Sequence, residues 1–437
     1  MKFIYQLGLA GTERKTFRMH LAYAIIDGII MGVLVINEYI FLKSMHGSKY
    51  LMSILFTFSM IIFLFSTVFN EFLIQVKNIK RTLRIIALIS RVPLVIVALF
   101  PRDMHDCSGC MYHYLFLTVF LLYYLATPAV LPFINLFLKK NYPAHRFGKL
   151  YSYAVTVRML TLMITTFLTG RLLDIFPGAY VYIFPALGVL GFLGIYFLTL
   201  IDYKEEALKK RLSTVRTFFG SFGNIIRIYR NNRPFLHFEI GFMLYGFAFM
   251  STMTVINVFF EQSLGLSYTS VAFYKNVANI FPIVLLPVLG SFISKVDPRR
   301  FAAFAFSCLF LHILFLIFTS RFHASVEIYD IQVITTLLIA YVFFGLFQAA
   351  IFLTWNIGSS FFCTSGEAGS YQSVHLTMTG VRAVFAPLLG IVFSDLLGYV
   401  PAFIIAMTSL SAGIFIMIWS QRKYRLPEQG EVNIKNQ

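Results

Sequence analysis

Acidic residues are scarce in this chain. Its 437 residues include 19 Asp and Glu against 36 Lys and Arg, and charged residues of both signs make up only 13%. Soluble domains carry about 25% charged residues, so one long soluble fold with a large core is excluded. Catalytic signatures are missing too. No Gly-x-x-x-x-Gly-Lys-Ser/Thr is present, which disfavours ATP-driven work by this chain alone, and there is no His-Glu-x-x-His or Gly-x-Ser-x-Gly. No small-residue cleavage site follows a short apolar core near the start, so the first apolar segment is expected to stay as a helix. Cysteine is limited to four residues. Cys308 lies in an apolar run and reads as a small core residue; Cys363 reads as loop. Cys107 and Cys110 form a C-x-x-C between His105 and His113. That could be a metal clip, but a local disulfide or two free thiols is the plainer reading, because no second C-x-x-C completes a tetrahedral site. No cofactor and no resident metal are expected.

What the chain has instead is hydrophobicity: 58% of residues are apolar or aromatic, including 50 Phe. Twelve apolar segments can be marked, at roughly 18–42, 51–75, 83–101, 112–137, 150–172, 179–201, 236–261, 267–293, 301–320, 331–357, 370–395 and 400–420. A span of about 20 residues crosses the hydrocarbon layer, so each can span, the third and ninth being short. The net charge of +17 does not point to nucleic acid. The charges fall mostly in alternate loops: Lys77, Lys80, Arg81 and Arg84; Lys139, Lys140, Arg146 and Lys149; Lys295, Arg299 and Arg300. By the positive-inside rule this makes both termini cytoplasmic and the protein multi-pass.

A stretch at 202–235 divides the segments into two sets of six, giving a bundle over 1–201, a linker, a second bundle over 236–420 and a tail over 421–437. Within the linker Val215, Phe218, Phe219, Phe222, Ile225, Ile226 and Tyr229 recur at helical spacing, which predicts an amphipathic helix along the inner membrane surface. The two sets also match at an offset of 220 residues. Val35-Ile36-Asn37 falls on Val255-Ile256-Asn257, Tyr151 on Tyr371 and Gly170 on Gly390. Parallel repeats with a site at their interface are the mark of secondary transporters.

Two local stretches carry a resemblance. The loop after the eighth segment reads Gly290-Ser-Phe-Ile-Ser294-Lys295-Val-Asp297-Pro-Arg299-Arg300, and the eleventh segment contains Tyr371-Gln-Ser-Val-His375, Gly380-Val-Arg382 and Ala386-Pro387. With the six-plus-six layout, the chain resembles the major facilitator superfamily. The resemblance implies an all-α membrane protein of twelve transmembrane helices in two pseudo-symmetric six-helix bundles, a monomer, and alternating access to a central site. It also implies that Gly290, Asp297, Arg299 and Arg300 belong to a gating loop. Ser294 stands where the family carries an acid, and the first copy, Asn70 to Arg81, keeps only Lys80 and Arg81.

Charges at membrane depth are functional candidates by default. Arg91, Arg158 and Arg382 lie near the middle of the third, fifth and eleventh segments, and Lys275 in the outer part of the eighth. The resemblance makes the third segment peripheral, so Arg91 reads as structural. Arg158 and Arg382 fall on repeat-related segments. Guanidinium recognises carboxylate or phosphate through paired hydrogen bonds, so both are candidates for an anionic or zwitterionic small-molecule substrate; pairing with Asp27 or with freed backbone carbonyls is the alternative. Asp27 and His375 are the candidates for coupling to a proton or other ion. A buried carboxyl next to a cation can trade a proton for an ion pair. Asn37, Asn257, Gln348, Asn356, Asn276, Asn279 and Trp355 complete the lining candidates, interhelical hydrogen bonding being the plain reading for the two matched asparagines. The rival readings are a lipid-modifying membrane enzyme and a scaffold or sensor without flux. Expected partners are a small solute, a co-transported ion and membrane lipids.

Overall fold

The computed structural model describes residues 9, 11–65, 78–104, 111–142, 144–202, 225–293, 296–322, 324–364 and 367–424. Their backbone is almost wholly helical. The first group is α1 (Gly11–Leu34), α2 (Asn37–Lys43), α3 (Lys49–Ile61), α4 (Ile79–Arg91), α5 (Met111–Leu125), α6 (Thr127–Asn141), α7 (Ala144–Ile175) and α8 (Tyr180–Thr199). The second is α9 (Arg233–Val258), α10 (Tyr268–Ile293), α11 (Pro298–Arg321), α12 (Thr335–Ile357), α13 (Ala368–Leu397) and α14 (Tyr399–Lys423). Among the described residues the strands are two short ones, β1 (Ser325–Ile328) and β2 (Ile331–Ile334), paired as a hairpin.

Among the described residues ten stretches are long and apolar enough to cross a membrane, and two shorter apolar helices, Lys49–Leu64 and Met111–Leu125, stand where the second and fourth segments are expected. The third and ninth, expected to be short, are among the ten; of the second, residues 66–75 lie outside the described residues. The expected third segment gains length because α4 continues through Pro93 as a 3-10 helix, Val92–Leu99. The expected fourth is interrupted at Ala126, and α6 starts with a proline in its first positions, where a missing N–H costs no hydrogen bond. Of the amphipathic linker, Val215, Phe218, Phe219 and Phe222 lie outside the described residues. Residues 225–231 are helical, with Ile225 and Ile228 buried and Ile226 exposed.

By contacts the chain forms two units. One comprises Met1–Thr214, Asn257–Asn276 and Glu327–Gln332; the other comprises Val215–Ile256, Val277–Val326 and Val333–Gln437. In the first unit, Phe17, Leu83, Phe133, Phe137 and Leu198 form part of one buried apolar cluster. α1 packs along α7. A Cβ at Gly28 would stand 2.6 Å from the Arg158 carbonyl oxygen, and one at Gly32 would stand 2.7 Å from that of Leu162. This Gly28-x-x-x-Gly32 spacing is the small-residue pattern that lets helix backbones touch in lipid. Gly191 of α8 similarly leaves room for the aliphatic stem of Arg91, 2.9 Å from where a Cβ would be. Arg91 donates to the Tyr123 carbonyl at 3.0 Å and lies over the Tyr123 ring. It is a cation solvated by its own bundle, as its peripheral position suggested.

The second unit is tied by aromatic packing and one buried arginine. Tyr245 stacks on Phe306 with centroids 4.7 Å apart. Arg299 has no exposed surface. It pairs with Asp297 at 2.7 Å and donates to the carbonyls of Ser420 and Tyr424 at the C-terminal end of α14. A cation there also meets the negative end of the helix dipole. Asp297 caps α11 by accepting from the Arg299 N–H. The Gly290-to-Arg300 motif thus contains a clamp between α11 and α14. Arg300 and Gly290 are exposed, and a Cβ at Gly290 would meet no neighbour.

Glycine position therefore makes a test of packing. Gly191→Leu should lower the melting temperature of the purified protein, overpacking of this kind costing about 1–3 kcal/mol. Gly290→Ala should leave it unchanged. Equal melting curves for Gly191→Leu and wild type would refute the contact.

Candidate functional site

In the first unit the Gly28 and Gly32 contact sets the site. With the two backbones touching, the short Asp27 side chain reaches across and accepts from Arg158 Nε at 2.5 Å. The Tyr23 hydroxyl, one turn earlier on α1, is 3.4 Å from the other Asp27 oxygen. The pair is not sealed: the Arg158 side chain keeps 33% of its surface and that of Asp27 keeps 16%. Asp27 engages Arg158 through Nε, and no hydrogen bond is seen to the two terminal nitrogens among the described residues. Those are the atoms a guanidinium uses to grip a carboxylate or phosphate side-on.

Arg382 is placed differently. It is 2% exposed. Its terminal nitrogens donate to the Phe242 carbonyl and to Thr379 Oγ1, the latter at 3.1 Å, and the guanidinium lies over the Tyr245 ring. Gly246 provides the room, since a Cβ there would overlap the guanidinium. About two turns away on α13, His375 Nδ1 is 2.8 Å from Glu239 Oε1 of α9. Both residues are buried, at 1% and 2% exposure. Glu239 Oε2, His375 Nε2 and Arg382 Nε are buried without a hydrogen-bond partner among the described residues. Trp355 and Phe242 flank the imidazole.

The remaining candidates scatter. Lys275 Nζ donates to the Val35 carbonyl at 2.6 Å. Asn37 follows the interruption between α1 and α2 and is fully buried. Asn257 is also buried, and the helix passes into a π-turn, Phe259–Ser263, just beyond it. The matched Val-Ile-Asn triplets thus both mark helix irregularities. Asn276 Nδ2 donates to the Met163 carbonyl at 2.8 Å. Gln348 is partly buried. Asn356 is exposed and donates to Phe352 of its own helix at 2.6 Å. Trp355 Nε1 is 3.4 Å from Thr379 Oγ1. His113 is buried in α5 with Nε2 2.7 Å from the Met45 carbonyl, while His105, Cys107 and Cys110 lie outside the described residues. Among the described residues no group of three or more His, Cys, Asp or Glu could hold a metal ion.

Two features escaped the sequence reading. Gly28-x-x-x-Gly32 was there to be read as a packing motif, directly after Asp27. Asp174, at the end of α7, accepts from the backbone N–H groups of Tyr268 and Thr269 at 2.7 Å each and so caps α10. Its only sequence signal is an acid at the edge of an apolar run.

The sequence pattern of the Major Facilitator Superfamily matches residues 19–334, and the chain belongs to that family. It is a multi-pass membrane protein with a transporter fold rather than an enzyme. A nucleoside transporter, NupG, aligns at TM-score 0.68 and 11% identity over 95% of this chain and 100% of its own. A peptide transporter, POT, solved in complex with sulfate, aligns at 0.67 and 13%, covering 96% of each chain. A POT family transporter in complex with 5-aminolevulinic acid aligns at 0.67 and 11%, covering 94% of this chain and 96% of that one. No protein with a curated function matches in sequence.

The buried pair in the second unit generates a stability prediction. Glu239→Ala strands the His375 Nδ1 that it now engages, and loss of one partner of a buried pair costs about 1–3 kcal/mol or more. Glu239→Gln keeps an oxygen at that position and should lose much less. Thermal unfolding of the two variants decides it; an equal loss would show that the contact carries no energy.

Proposed function

We propose that this secondary transporter carries a small anionic or zwitterionic solute and couples its movement to protons. The observation that supports this reading is the state of Arg158: at membrane depth, half-buried, held by Asp27 through one nitrogen, with two donors left over. Arg382 spends its terminal donors on its own bundle and sits out of contact with solvent, so Arg158 is the better substrate ligand. Fold likeness at 11–13% identity carries no substrate with it, and the solute class therefore rests on Arg158 alone.

In this reading Asp27 and the solute compete for one guanidinium. When Asp27 is ionised it holds Arg158. Protonation removes the charge that holds the pair and frees the guanidinium for the solute's carboxylate or phosphate. Proton and anion then enter together, with no unpaired charge left in a low-dielectric site. Glu239 and His375 form a second carboxyl–imidazole pair that can hold a proton in the other unit. Asn37, Asn257, Lys275, Gln348 and Asn356 remain lining candidates. Both termini are cytoplasmic in this reading, as the basic loops imply, and the resemblance of the Tyr371-to-Gly390 stretch to a bacterial branch of the superfamily makes the membrane a bacterial inner membrane.

The test is binding and flux with the pair altered. A thermal-shift screen against anions, amines and sugars should show stabilisation by an anion or zwitterion in wild type, since a ligand of the folded state raises apparent stability by mass action. Arg158→Ala should abolish that shift, and Arg382→Lys should keep it. Asp27→Asn, neutral at all pH, should bind the same solute with little pH dependence and should lose proton-driven accumulation in vesicles while retaining exchange. A neutral sugar or amine that stabilises wild type and Arg158→Ala alike would refute the anion reading. Proton-driven accumulation surviving in Asp27→Asn would remove Asp27 from the coupling.

A further inference from the structure

The interruption between α1 and α2 is itself a binding element. Val35 and Ile36 leave the helix: the Ile36 N–H turns back to Val33, and α2 starts its own ladder with Ile40 donating to Ile36. Among the described residues no backbone N–H reaches the Val35 carbonyl; its partner is the Lys275 ammonium at 2.6 Å. Irregular backbone at membrane depth persists where it lines a site, and unwound carbonyls there bind cations.

The surroundings have the same character. Asn37, two residues beyond Val35, has no exposed surface, and among the described residues neither its oxygen nor its nitrogen has a partner. An unmet buried polar group is destabilising, so this arrangement is costly as it stands. Asn276, next to Lys275, presents a second buried amide oxygen without a partner. Glu38 follows Asn37, is partly buried, and attracts Lys275 electrostatically. At the turn the ammonium meets a carbonyl that the helix ladder leaves unused and the field of one carboxylate, with unmet amide oxygens on the neighbouring residues Asn37 and Asn276. All these residues belong to the first unit. Hard oxygen donors with one net negative charge suit a singly charged cation.

We propose that the unwound turn at Val35–Ile36 is a binding site for a small monovalent cation, and that the Lys275 side chain is its resident occupant in this conformation. Lys275 is a tethered ligand. When α10 withdraws from the turn, the site is open to an alkali ion or to the primary ammonium of a solute. The reading is independent of the solute gripped by Arg158, so failure of the anion screen leaves it standing.

The experiment removes the tether and supplies the cation. Lys275→Met should melt several degrees below wild type in choline chloride. Replacing choline by sodium or by methylammonium at constant ionic strength should restore several degrees in the variant and nothing in wild type. Rescue by sodium alone identifies an alkali-ion site, and rescue by methylammonium alone identifies a site for a solute's amine. A variant as stable as wild type, or one indifferent to which cation is present, would overturn the proposal. If Lys275→Met does not fold, Asn37→Asp decides instead, since it keeps the lysine and the side-chain shape. A cation site makes this variant at least as stable as wild type, whereas an ordinary buried position makes a lone carboxylate destabilising by several degrees.

Discussion

Two helix backbones in contact, with nothing between them, are what the first unit is built on. Gly28 and Gly32 let α1 lie on the Arg158 and Leu162 carbonyls of α7. At that separation an aspartate, with one methylene, reaches the guanidinium of Arg158 on the next helix. The ion pair is therefore a product of packing. In hydrocarbon, where burial of apolar surface between helices gives little drive, such contacts supply the association energy themselves.

The chain solves the problem of buried cations in two ways. Arg91, Arg299 and Arg382 give donors to backbone carbonyls, with a tyrosine ring beneath Arg91 and beside Arg382. These are self-contained and hold helices together. Arg299 adds the carboxylate of Asp297, two residues back in sequence. Arg158 instead gives its Nε to a carboxylate of another helix, Asp27. Lys275 is intermediate, donating to one backbone carbonyl, that of Val35.

The architecture was legible because membrane helices announce themselves by length and charge placement, and among the described residues each of the twelve segments meets helix. The helix lengths were less legible. Nothing in the residues around Pro93 or Ala126 says whether a proline extends a segment as a 3-10 turn or interrupts it; neighbouring helices decide. Of the candidate site, the Asp27 and Arg158 pairing was among the alternatives read from charge at depth. Arg382 looked equivalent to Arg158 in sequence, and the difference comes from Gly246, which makes a cradle for it more than a hundred residues away. The Val-Ile-Asn repeat was read as hydrogen bonding between helices. That it marks a broken helix on one side and a π-turn on the other depends on backbone geometry, which side-chain spacing does not report.

The cap on α10 has a further consequence. Its first two amides are satisfied by Asp174, a residue of another helix. Drawing α10 away from α7 would therefore uncover two N–H groups and one carboxylate together. Asp174 is exposed at the end of α7, so water is already at hand to take over these groups as the helices part. The cap thus orders the start of α10 without locking it to α7.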